Sequence, residues 1–186
     1  MNIFVTDINP YVAARNLCDI HLNKMIIESC QLLSTNLRIK YGDEACDDKS
    51  KVQLYKSMYV NHPCRKCLET EYNEWWLRHH LNGLLKEYTY RRNRTHGCQG
   101  LFNDWFDPKW NYNDIELITE YNIESIESTS FIQCMPDEYK VLESNDQPST
   151  DITKVAQAYR NYYKFKKSSL SRWNYTNREE PNWLND

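Results

Sequence analysis

A chain of 186 residues with 23 basic and 26 acidic side chains carries a formal charge of −3, so the molecule as a whole offers no electrostatic attraction to nucleic acid. Four glycines, six prolines and few alternating runs exclude an all-β protein and point to a mainly α one. The expected architecture is a compact single-domain helical bundle over residues 1–186, with long irregular loops and an irregular insertion at about 98–149.

The first helix is signalled by Asn9 as N-cap and Pro10 at the first helical position. Val12, Ala13, Leu17, Ile20, Ile27 and Leu32 then recur at steps of three and four, out to about Leu37. Within this helix His21, Lys24 and Glu28 fall at i, i+3 and i+7, and seven residues are close to two turns, so the groups share a face. That stripe fits a catalytic set. It equally fits a surface Lys–Glu pair beside a partly buried histidine.

Residues 40–51 read as a polar loop and 52–59 as a short helical piece, leading to His62 and then Pro63 as the first position of a long second helix. Its apolar face is Leu68, Tyr72, Trp75, Trp76, Leu81, Leu84, Leu85 and Tyr88. It ends in Arg91, Arg92 and Arg94, which suit either a helix C-terminus or a phosphate. The stretch 98–149 reads as loops with one or two short helices and contains Trp105, Phe106 and Trp110. Acidic residues concentrate at 114–127, whereas 164–167 is basic.

A final helix is expected from Thr150 or Asp151 through Val155, Ala158, Tyr159, Tyr162 and Tyr163 to about Lys167. Tyr163, Lys164 and Trp173 interleave aromatic rings with cations, a surface on which bases or sugars stack. A tail folded back onto the core explains the same rings.

Seven cysteines, an odd number, with no hydrophobic leader and no apolar run of 18 residues, predict a cytoplasmic protein with free thiols and no membrane partner. Cys64-x-x-Cys67 follows His62, with His79, His80, His96 and Cys98 further on. The second pair lacks a zinc-knuckle spacing, and the adjacent His79 and His80 point to different sides of a helix. No metal and no cofactor are therefore expected, and a zinc-stabilised module stands as a rival that metal analysis would decide.

The pattern Leu17-x-Asp19-x-His21-Leu22, followed by Glu28, resembles the N-terminal helix of the phage T4 endonuclease V type of pyrimidine-dimer DNA glycosylase. Looser but collinear similarity continues through His62, Trp76-Leu77-Arg78, the basic Arg91 to Arg94, Met135-Pro136-Asp137-Glu138-Tyr139 and Pro181-x-Trp183. The resemblance implies a DNA glycosylase and lyase in which the N-terminal α-amine, here of Met1, attacks C1′ of the damaged nucleotide and expels the base through a Schiff base. It then cleaves the strand by β-elimination. Such an amine titrates near about 8 and is a fit nucleophile. Glu28 matches the family's carboxylate, His21 its supporting imidazole, and His62 lies nearby in the expected site. Reaching the base requires flipping or distortion of the duplex.

The sequence departs from that pattern where residue 2 is Asn, which leaves Met1 in place, and where Ile27 and Gln31 stand for family arginines. Losing two guanidiniums weakens duplex binding and suits a small nucleotide substrate. Lys24, one turn from the carboxylate, is an alternative amine nucleophile. A rival from another class is a non-catalytic viral protein that binds a host protein or sequesters a nucleotide.

Overall fold

The computed structural model describes residues 2–107 and 131–185. Met1, Trp110 and the acidic run at 114–127 lie outside the described residues. The described part is helical, without a β-strand: α1 Pro10–Arg15, α2 Asp19–Tyr41, α3 Asp43–Cys46, α4 Pro63–Lys66, α5 Glu71–Arg92, α6 Gln99–Leu101 and α7 Ile152–Ser169. Between the two long helices and α7 sits a core of large apolar side chains, with Trp76, Met25, Leu33, Phe106, Phe131 and Tyr159 almost fully enclosed.

The first predicted helix is in fact two. Asn9 caps α1 as expected, its side chain accepting from the Tyr11 and Val12 amides, but the chain leaves the helix at Asn16 and re-enters at Asp19. The cause lies far away in sequence. Arg91 of α5 donates to the Leu17 carbonyl at 2.8 Å and the Arg15 carbonyl at 3.0 Å. Tyr175 Oη donates to the Asn16 carbonyl at 2.8 Å, so three carbonyls released by the break all find donors. The interruption rotates the α2 face, and Ile20, expected on the apolar side, is 43% exposed whereas His21 is buried.

Residues 52–59 are not helical; they lie along α2 without regular secondary structure. Polar side chains of α2 bind their backbone instead: Arg38 Nε donates to Tyr55 O, Thr35 Oγ1 to Met58 O and receives Met58 N, and Ser34 Oγ accepts Tyr55 N. Those donors and acceptors replace the bonds of a helix. The helix expected from Pro63 likewise divides into one turn of α4, a tight turn at Cys67–Glu69 and then α5, where Asn73 Nδ2 donates to the Cys67 carbonyl at 2.9 Å.

α1 crosses α5 at Gly83, where an added Cβ would lie 3.0 Å from Ala14 Cβ and 3.2 Å from Tyr11 Cα. The crossing is locked by Trp76 Nε1 to Ile8 O at 2.7 Å and by His80 Nδ1, which bonds Pro10 O at 2.9 Å. α7 begins where expected, capped by Asp151, and ends two residues later than expected at Ser169. It sets Tyr159 and Tyr163 into the core against the N-terminal stretch.

Candidate active site

Glu28 stands near the middle of α2, and its side chain is 14% exposed. Oε2 accepts the Asn2 amide at 3.0 Å and Oε1 lies 3.6 Å from Lys24 Nζ. The N-terminal stretch is thereby docked against the carboxylate. Asn2 fixes it further: Oδ1 accepts the Ile3 and Phe4 amides at 2.7 and 3.1 Å, and Nδ2 donates to Cys134 O at 2.8 Å. Phe4 carries a positive φ of 53°, a conformation that costs a bulky residue of order 1–3 kcal/mol and clusters at functional sites. Phe4 is held there with its ring 5.0 Å from that of His21.

His21 lies two turns before Glu28, about 10 Å along the axis, so the two act on different parts of a ligand rather than on each other. Its Nδ1 sits 2.8 Å from Tyr163 Oη. That oxygen accepts the Cys18 amide at 3.0 Å and lies 3.5 Å from Cys18 Sγ, and burial drives the Tyr163 pKa far up, so the phenol keeps its proton and shares a hydrogen bond with His21 Nδ1. Burial, with the charges of Lys24 and Lys166, lowers the His21 pKa to about 4, so the ring is neutral at neutral pH.

Of the remaining expected site residues, His62 comes to the Glu28 end. It caps α4, its Nδ1 accepting Cys64 N at 3.1 Å, and its pKa is lowered by burial while the Glu28 charge pulls the other way. Lys24 is at hand but 60% exposed. Arg92 is exposed and lies 3.4 Å from Asp19 Oδ2; Arg94 is exposed beside Tyr88 Oη at 3.1 Å.

Arg91, Tyr163 and Trp173 are placed otherwise than expected. The Arg91 side chain is fully enclosed and bonds Glu87 at 2.8 Å and Asp19 at 3.0 Å besides its two carbonyls, which uses its donors on the fold rather than on phosphate. Tyr163 is buried behind His21 and orients it. Trp173 packs edge-on against the same imidazole, ring centres 5.6 Å apart. On α7 it is Lys166, not Lys164, whose charge reaches His21.

Two features escape a reading of the sequence. Asn2, seen there as a departure, is the anchor of the N-terminal stretch; an Asx turn over residues 2–4 is the local signal that would have found it. Cys134, far along the chain, meets Cys64 at 3.0 Å between sulfurs, and with His62 offers three ligand atoms mutually within 4.8 Å. Cys67 does not join them; its thiol is buried and lies 3.2 Å from Asn73 Nδ2. A cleft of about 380 Å³ lined by Ile27, Tyr55, His96 and Cys98 contains none of the residues at the N-terminal dock.

Among the described residues, then, the N-terminal stretch is docked on a helix-borne glutamate, with a histidine hydrogen-bonded to a buried phenol two turns away. Residues 1–99 match the family model of pyrimidine dimer DNA glycosylases. The match spans more than half of the chain and includes α1, α2, α4, α5 and Glu28, and the protein belongs to that family. No curated protein and no solved structure matches the chain. No helix among the described residues is long and apolar enough to cross a membrane.

Proposed function

We propose that the protein is a DNA glycosylase and lyase that acts on the N-glycosidic bond of a damaged nucleotide through an N-terminal amine, with Glu28 as its catalytic carboxylate. The observation that carries this reading is the 3.0 Å bond from the Asn2 amide to Glu28 Oε2. Covalent geometry allows the α-amine of residue 1 no more than about 4 Å from that amide nitrogen, within reach of a sugar held at the carboxylate. Lys24 is the less suitable nucleophile, since its solvated ammonium lacks the burial that activates a lysine.

In this mechanism the unprotonated amine attacks C1′, the bond to the base breaks, and the base leaves with the glycosidic electron pair and a proton. Glu28 stabilises the cationic sugar that develops, takes the proton released by the newly attached amine, and returns it to O4′ as the C1′–O4′ bond breaks, which opens the ring and leaves the protonated Schiff base. Removal of a C2′ proton expels the 3′ phosphate, and water releases the amine. His21 and His62 bind the sugar or a flanking phosphate from either side, and Lys24, Lys164, Lys166, Arg92 and Arg94 supply the local positive charge that the whole molecule lacks.

A second reading, an N-glycosidase for a small nucleotide, is favoured by Ile27 and Gln31 on the α2 face and by the burial of Arg91, which leave fewer guanidiniums for a duplex. One experiment separates the two. The protein is incubated with UV-irradiated, uracil-containing, abasic and undamaged DNA in the presence of borohydride. A covalent adduct with the irradiated or abasic substrate, absent in Glu28→Gln and mapped to Met1, is the expected result. No adduct, no strand cleavage and no base release from any DNA would reject the glycosylase reading and turn attention to free nucleotides.

A further inference from the structure

His62, Cys64 and Cys134 converge beside the docked N-terminal stretch although the last of them lies on the far side of the 108–130 segment. From this geometry we infer that they form a binding site for a thiophilic transition-metal ion, with zinc(II) as the leading occupant. The inference is independent of the glycosylase chemistry proposed above.

The donor chemistry selects the ion. Two thiolates and an imidazole are soft to borderline ligands, which favour zinc or copper(I) over magnesium or calcium. Two cysteines and one histidine also leave a fourth tetrahedral position open. Cys64 is buried, whereas His62 and Cys134 are partly exposed, so a water or a small ligand reaches that position from their side.

The geometry is close to what an ion demands. Zinc–sulfur bonds of about 2.3 Å in a tetrahedron hold two sulfurs about 3.8 Å apart; the sulfurs here are 3.0 Å apart and separate by less than about 1 Å on binding. The backbone on both sides is held for the task. In the metal-free chain His62 Nδ1 accepts the Cys64 amide at 3.1 Å, which keeps the ring at the site; that bond gives way when this imidazole nitrogen takes the ion. Cys134 is fixed on its other side by Tyr159 Oη, which accepts its amide at 3.2 Å, and by Asn2 Nδ2 on its carbonyl. Metal-site ligands are commonly steadied by such outer bonds.

The location gives the site a consequence. Asn2 connects Cys134 to Glu28 through its side chain and its amide, and the Glu28 charge acts on His62. An ion bound here clamps residues 131–135 to α4 and tightens the dock of the N-terminal stretch. Binding exchanges the thiol protons for the metal and so strengthens as pH rises.

Cobalt(II) is the probe. Titrated into the full chain kept reduced by a phosphine, it is expected to give a thiolate-to-cobalt charge-transfer band and tetrahedral visible bands at one ion per protein, both displaced by zinc. Zinc is also expected to raise the melting temperature. Cys64→Ser and Cys134→Ser should weaken cobalt binding at least a hundred-fold, whereas Cys98→Ser and Cys30→Ser leave it unchanged. Should Cys64→Ser, at a buried position, lose its far-ultraviolet helicity, Cys134→Ser carries the test alone. Absence of the charge-transfer band in reduced protein overturns the proposal, as does a band that survives Cys134→Ser. A Cys64–Cys134 disulfide in protein handled without reductant, combined with no metal binding after reduction, overturns it in favour of a redox pair.

Discussion

The Asn2 side chain closes the turn over Ile3 and Phe4 with one atom and holds Cys134 with another, while its backbone amide meets Glu28. Its amide contact with Glu28 survives substitution, but the turn does not. Asn2→Ala is therefore expected to lower the yield of borohydride-trapped adduct about ten-fold while the fold is kept, because a 1 Å misplacement of a reacting group is worth that and more; unchanged trapping would show that the turn is dispensable. Glu28→Gln keeps the shape and loses the charge and the proton acceptor, so the rate of base release should fall by about a hundred-fold or more. Tyr163→Phe acts one step behind the chemistry. It strips a partner from the Cys18 amide and from His21 Nδ1 in a buried setting, at about 1–3 kcal/mol of stability, which urea denaturation reads directly. It also leaves the imidazole without that hydrogen bond, so the pH profile of activity should shift where that of Asn2→Ala does not.

At the scale of elements, what is encoded locally was legible and what is imposed from a distance was not. Asn9-Pro10 and Asp151 mark helix starts through caps that involve only neighbouring residues, and the structure has helices at both. The His21–Lys24–Glu28 stripe depends only on helical spacing, so it too survives, although the family match does not assign its roles. The break between α1 and α2 is different. Nothing within residues 10–37 demands it; the donors that stabilise it come from Arg91 and Tyr175. The same holds for residues 52–59, whose backbone is satisfied by side chains of α2, and for Cys134, which only the folded chain brings to Cys64. Arg91 is the clearest case, because its charge suggested phosphate and its surroundings are Asp19, Glu87 and backbone carbonyls. Arg91→Met should accordingly destabilise the fold by about 1–3 kcal/mol, since it takes the donor from the buried Leu17 and Arg15 carbonyls and one partner from each of two carboxylates, Asp19 keeping Thr176 and Arg92 and Glu87 keeping Arg178. Loss of substrate binding without loss of stability would contradict this assignment. Gly83→Ala tests the α1–α5 crossing in the same assay, with about 1–3 kcal/mol expected from the contact with Ala14 and Tyr11.

The whole molecule responds to acid through histidines that it keeps uncharged. Burial lowers the pKa of His21 and of His80 to about 4 from an ordinary 6.5. His80 has its Nδ1 on the Pro10 carbonyl and its Nε2 enclosed without a partner, so a second ring proton would enter the core with nothing to accept it. Above pH 6.5 both rings are neutral in the folded and the unfolded chain, and neither contributes a pH dependence. Between pH 6.5 and 4 the unfolded chain takes up protons that the folded chain refuses, so stability falls as pH falls, by up to about 3 kcal/mol for each ring. Below the ordinary carboxylate range a further loss begins. There Asp19, held low against the effect of its burial by bonds from Thr176 and Arg91, must take a proton to relax. The two phases are separable because they occupy different pH windows. Urea midpoints measured from pH 7 to 4.5 should decline steadily in the wild type. In His80→Asn, whose amide can still donate to Pro10 O but cannot titrate, the decline should shrink to about half, the remainder belonging to His21 and, in smaller part, to His62, whose pKa burial also lowers. A midpoint that stays flat across this range would mean that both rings accept protons in the folded state, and with that the uncharged state assigned to His21 by its burial would fail as well.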